Sequence, residues 1–363
     1  MPAQSWRPFM VLAALGGLAL AACSSGAGAA PTTTVAASSS TAGTSTTAES
    51  TTSTTVVQQT LAPLTGLPID PALAQRPALV VKIDNFPTIA RPQVGINQAD
   101  VVFEEIVEGI TRFAAVFQSS DADPVGPIRS ARTSDINILA QLGRPLLAWS
   151  GGNPYVTKAI QNANIDNLTP DRYASAYFRT NDRAKPHNYF SNTSTLFSLA
   201  TDATPVPQPL FQYRPAGTAM PPTAQPTAGV KIVFTGGEKV DYQWNDTLQG
   251  WARFQAGTPH VDVEGHQIAP ANLVVLFTKY KTSPADKNSP EAQTVGSGDA
   301  WVFTNGQIIP GTWSRPDAAK PATLTDGNGQ PILLTPGHTW VALPQAGSAT
   351  IVPPGQDVLT FHG

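Results

Sequence analysis

A single cysteine, Cys23, in 363 residues excludes an internal disulfide framework and a thiolate-rich structural zinc site, because both need several thiols. Charge is also scarce. Only 13% of residues are Asp, Glu, Lys or Arg, and the formal net charge is −3, which argues against a whole-molecule attraction to nucleic acid or anionic lipid headgroups. The chain has no G-x-S-x-G elbow, no H-E-x-x-H, no P-loop and no G-x-G-x-x-G after an expected strand, so no familiar catalytic or cofactor signature closes. No cofactor and no metal is expected.

The apolar run from Phe9 to Ala22 is shorter than the roughly 20 residues a membrane-spanning helix needs. With Arg7 before it, the run reads as an export signal over residues 1–22. It ends Leu20-Ala21-Ala22-Cys23, which resembles the lipobox of bacterial lipoproteins. That resemblance implies cleavage before Cys23 and a lipid on its thiol, which places the protein on the extracytoplasmic face of the bacterial cell membrane with the membrane as a partner. Residues 23–60 follow as a disordered tether: from Ser24 to Thr60, 20 of 37 residues are Ser or Thr, and Glu49 is the only charge. Such a composition cannot bury enough apolar surface to offset the entropy of ordering it.

The rest divides at a proline-rich linker, residues 205–228, with Pro205, Pro207, Pro209, Pro215, Pro221, Pro222 and Pro226. Residues 61–204 interleave apolar strands (78–83, 101–107, 110–117, 145–149) with helices opening near Thr133 or Ser134 and at Pro154, an α+β or α/β pattern. Residues 229–363 carry short strands over 231–235, 273–279, 300–303, 332–334 and 340–343, with Asn305-Gly306 as a hairpin turn, the pattern of a small all-β domain. Nine of the arginines, the side chain suited to bidentate anion recognition, lie in the first part and two in the second.

The segments PLTGLPID (63–70), KIDN (82–85), 90–119, GPIRSAR (126–132) and KPHN (185–188), then 296–315 and LTPGHTWVALP (334–344), together resemble the N- and C-terminal halves of the YerB-like lipoprotein family. The family is known as a domain of unknown function. The resemblance therefore implies a two-domain, membrane-anchored, extracytoplasmic protein and supplies no reaction.

Candidate chemistry concentrates in the first half. Arg129, Ser130, Arg132 and Ser134 stand immediately before an expected helix N-terminus, where free N–H groups favour an anion; the competing reading makes Ser134 and Asp135 helix caps and pairs the arginines with neighbouring acids. Gly151 and Gly152 precede the next helix, and Asp84 and Asn85 end the first strand, so these positions can line one crevice at the strand ends. Glu104 and Glu105 lie on a strand among apolar neighbours, and His187 is the only histidine of this half; these three are the acid–base candidates if the protein is a hydrolase or transferase acting on envelope glycan or phosphodiester. An ion pair with Arg112, or with the Arg129 and Arg132 segment, is the preferred account of the two glutamates. His260, Asp262, Glu264 and His266 alternate with apolar residues and read as a solvated strand face rather than a metal site. The expectation is a lipid-anchored protein, without catalysis, that binds an anionic cell-wall polymer or an acidic segment of an envelope protein. A hydrolase and a non-catalytic scaffold are the alternatives.

Overall fold

Residues 79–83 (β1), Val101–Val107 (β2) and Ile110–Phe117 (β3) are nearly continuous apolar runs, the pattern of strands covered on both faces. The structure, a computed structural model, describes residues 59–362 apart from 87, 202 and 235. The signal segment, Cys23 and nearly all of the tether lie outside the described residues. β2 turns into β3 at Glu108-Gly109, where Gly109 has φ 76°. β3 pairs antiparallel with β1, and Leu146–Ala148 (β4) and Asp166–Leu168 (β5) continue the sheet parallel to β1. Short helices α1 (Pro71–Ala74), α2 (Thr133–Ala140) and α3 (Pro154–Gln161) accompany them. Asn153 caps α3 by accepting from the Tyr155 and Val156 amides, with Pro154 in the first turn, as the sequence requires.

The second half does not stand apart from this sheet. Its strand Thr339–Ala342 lies between β2 and Asn272–Leu276, parallel to both. Gly296–Thr304, Gln307–Arg315 and Thr323–Asp326, with the short Gln225–Pro226 strand, extend the same sheet to eleven strands. Five further strands, among them Gly229–Phe234, Glu238–Asn245 and Gly250–Gln255, form a second sheet. Alternation along β1 assigns the layers: Leu79, Val81 and Ile83 join Ile232, Tyr242 and Trp251 of the second sheet, while Val80 joins Ile138, Leu139, Val156 and Ile160 of α2 and α3. The described residues accordingly belong to one compact unit.

Mostly strand architecture in the second half and the Asn305-Gly306 hairpin are present. The described residues are more β-rich than an α+β first half suggests, with 38% strand and 11% helix. Residues 332–334 form no strand, and of them only Leu334 makes an isolated bridge, with Tyr213. The proline-rich 205–228 segment is held to the fold: Leu210 is buried, Arg214 donates its amide to the Leu334 carbonyl at 2.7 Å, and Gln225–Pro226 pairs with Gln307–Ile308. Proline lacks a donor but not an acceptor, so an edge position accommodates it. His260 and the residues after it do not share one strand face. His260 is buried, and Asp262 closes a turn by accepting from the Glu264 and His266 amides, both at 2.9 Å.

Candidate functional site

The carboxyl ends of the parallel strands β1, β4 and β5 open on one side, and the chain after each end builds a crevice there, where open sheets bind ligands. Asp84 and Asn85 follow β1. Trp149 to Asn153 lead from β4 into α3. Arg129 is fixed between them: its amide donates to the Lys82 carbonyl at 2.8 Å, and its carbonyl accepts from the Ser150 amide at 3.0 Å. A cavity of about 320 Å³ results, lined by Arg129, Ser130, Arg132, Ser150, Gly151 and Gly152, with Arg179, Tyr189 and Asp286 across from them. Two helix N-termini, those of α2 and α3, meet it.

Five of the proposed binding residues therefore converge: Arg129, Ser130, Arg132, Gly151 and Gly152. Three do not reach its surface. Asp84 is buried and serves as an internal acceptor, taking the Arg129 Nε–H at 3.1 Å and lying 2.6 Å from His187 Nδ1. Asn85 is buried and donates to Thr111 Oγ1 at 2.8 Å. Ser134 is buried, and its hydroxyl accepts from the Ala292 amide at 2.9 Å.

Of the three acid–base candidates, His187 stands half-buried in a loop beside Asp84, and the two glutamates are held inside the sheet. Glu104 accepts from Arg253 Nη2 at 2.8 Å, Trp340 Nε1 at 2.9 Å and Thr111 Oγ1 at 2.9 Å. Glu105 accepts from Lys82 Nζ at 2.6 Å, and Lys82 also donates to Asp135 at 2.8 Å. Burial and then the Asp135 charge push the Glu105 carboxyl up, against the pull of Lys82. Both glutamates are fully buried, so neither offers an oxygen to the crevice, and the partner of each is a lysine or arginine other than those the sequence suggested.

The electrostatics of the crevice are set by arginines. Arg132 forms a bidentate pair with Glu108, both bonds 2.6 Å, the fork geometry expected of guanidinium and carboxylate. Burial works against the Glu108 charge, but hydrogen bonds from Arg132 and Ser289 outweigh it and hold the carboxyl at about 2. Arg112 lies behind Ser130, whose carbonyl it contacts at 3.0 Å, and its buried Nε–H has no partner. Burial, then the Arg132 charge, lowers this guanidinium to about 10. Arg179 packs over the Tyr189 ring, 4.4 Å from its centroid, and donates to Asn188 at 2.8 Å; among the described residues it has no acid at ion-pair distance.

Sequence reading missed Arg112 and Arg179 as site residues. Arg179 is brought in by a small ribbon, Tyr177–Arg179 paired with Tyr189–Ser191, which no local motif announces. It also missed the role of the second half. The hairpin Tyr280–Ser283 and Asp286–Ala292 reaches over the crevice: Asp286 accepts from Asn153 at 2.8 Å, Ser283 bonds Thr133 at 2.8 Å, and Ser289 donates to Glu108 at 2.7 Å.

Fold and crevice thus define a β-rich protein whose two sequence segments share one mixed sheet and build one pocket together. Residues 64–205 match the family described as "Protein of unknown function (DUF3048) N-terminal domain", and residues 230–341 match its C-terminal domain. The chain belongs to this YerB-like DUF3048 family. It is 26% identical over 305 residues to "Putative lipoprotein YerB" of Bacillus subtilis (strain 168), covering 80% of this chain and 88% of that protein. The crystal structure of the YerB protein from Bacillus subtilis has the same fold, with a TM-score of 0.71 at 24% identity over 81% of this chain and 99% of that one. No helix among the described residues is long and apolar enough to cross a membrane.

Proposed function

We propose that this protein, held at the extracytoplasmic membrane face through Cys23, binds an anionic group of a cell-envelope ligand in the crevice between β1, β4 and the N-termini of α2 and α3. One observation carries the reading. Three guanidinium groups, those of Arg129, Arg132 and Arg179, line the cavity with Asp286 as the one acid among its lining residues, and Arg179 has no acid at ion-pair distance among the described residues. Negative charge arriving in the cavity offsets this excess of positive charge on its walls. The Arg129 side chain, 27% exposed beside its Asp84 partner, keeps its Nη groups for such a ligand. Glu104 and Glu105 are committed to internal ion pairs, which favours binding over the hydrolase reading built on them.

The test is calorimetric titration of the full chain with orthophosphate and with N-acetylmuramic acid as a carboxylate probe. Arg179→Ala with Arg129→Ala is expected to weaken binding at least tenfold, about 1.4 kcal/mol. Equal affinity in the variant, or no binding of either probe by the parent chain, overturns the proposal.

A further inference from the structure

A second cavity, about 830 Å³, adjoins the first: Ser150, Gly151 and Gly152 line both. The loop between them is bare. Gly151 has φ 100°, and nothing lies within 4 Å of where its Cβ would stand, so a ligand can cross the backbone there without meeting a side chain.

The two cavities differ in chemistry. The first is arginine-rich. The second is walled mainly by neutral hydroxyl and amide groups, with Thr157, Gln161, Asn164 and Asn167 among them. Its Arg144 is neutralised by Asp166 at 2.5 Å, and its other charges, Arg172 and Asp171, are of opposite sign. Thr157 and Gln161 sit one turn apart on α3 and so present one face. Amides and hydroxyls offer donors and acceptors together, which matches a neutral moiety that also carries both, such as the hydroxyl and acetamido groups of a sugar. Each volume is that of a small-molecule site, so an occupant of both is longer than a single anion.

We infer that the ligand is an anion-bearing glycan oligomer, its phosphate or carboxylate in the arginine cavity and its neutral sugar rings across Gly151-Gly152 in the second. This rests on the anionic reading above and goes further by naming what the anion is attached to.

Four probes test it on the full chain: orthophosphate, neutral chitotetraose, chitotetraose 1-phosphate and a tetrasaccharide containing N-acetylmuramic acid, with a hexaglutamate peptide as a fifth arm. At least one of the two charged tetrasaccharides should bind ten or more times more tightly than orthophosphate, and which one does identifies the anion. Thr157→Ala with Gln161→Ala should remove that gain and leave orthophosphate affinity unchanged. Gln161 is exposed, Thr157 is half-buried and outside the core, and alanine is a strong helix former, so the variant keeps the fold. If orthophosphate binds and neither charged tetrasaccharide gains, or the gain survives the double substitution, the glycan inference fails alone. If hexaglutamate outbinds both tetrasaccharides, the occupant is a peptide and the inference is wrong. If orthophosphate does not bind and chitotetraose binds as well as its charged forms, the anionic reading fails with it.

Discussion

His260 Nε2 lies 2.7 Å from Gln93 Oε1, joining the two family segments through one buried hydrogen bond. The other ring nitrogen faces the Arg253 guanidinium. Burial first, then the charges of Arg253 and Arg91, push this imidazole well below its ordinary value. A histidine kept neutral in the fold but free to protonate when unfolded contributes stability that is present above about pH 6.5 and lost as the pH falls below it. Urea unfolding of the full chain should show a midpoint that drops between pH 7.5 and 5. His260→Gln should flatten that slope, and an unchanged slope would show that another group sets it.

Glu104 is the second joint. It is buried with Arg253 and accepts from Trp340, so removing it leaves a buried guanidinium without its counter-charge. Glu104→Leu should destabilise by about 3–5 kcal/mol, the usual loss when one member of a buried pair is deleted. Chemical denaturation reads this directly. Pairing it with Arg253→Met should recover part of the loss.

Glu108 competes with any ligand for Arg132. Glu108→Gln should therefore tighten orthophosphate binding several-fold while lowering stability. Because the folded-state value is depressed to about 2, the stabilisation from this pair is present above about pH 4.3 and lost as the pH falls toward 2. Thermal melts from pH 5 to pH 2 should show that acid loss in the parent chain and a smaller one in the variant.

Gly126 has φ 152°, and a Cβ there would stand 2.7 Å from Phe190 Cδ1 and 2.9 Å from the Tyr189 carbonyl. The ribbon that carries Arg179 would have to move. Gly126→Ala is expected to weaken orthophosphate binding as well as lower the melting temperature, whereas a purely stabilising role for the glycine predicts a lower melting temperature with affinity intact.

Local features of the chain were readable in advance because they depend on neighbours in sequence. The strands β1 to β3, the α3 cap at Asn153 and the Asn305-Gly306 turn follow from periodicity and turn chemistry, and so does the convergence of Arg129 and Gly151 at strand ends. What depends on distant pairing was not readable. The share of the sheet built by Thr339–Ala342, the internal use of Glu104 by Arg253, and the arrival of Arg179 and Asp286 at the crevice join residues far apart in the chain. Periodicity also cannot tell a strand covered by helices from one covered by a second sheet, so the sequence does not say what covers β2, all of which is inside.

The Trp340–Glu104 bond spans 236 residues of chain, and the strand bearing Trp340 is the one that closes the edge of β2. A chain emerging N-terminus first holds that edge open until Ala342 is free to pair. Neither half can be sealed early, and a product truncated before residue 339 is left with a bare, apolar strand edge, an invitation to self-association.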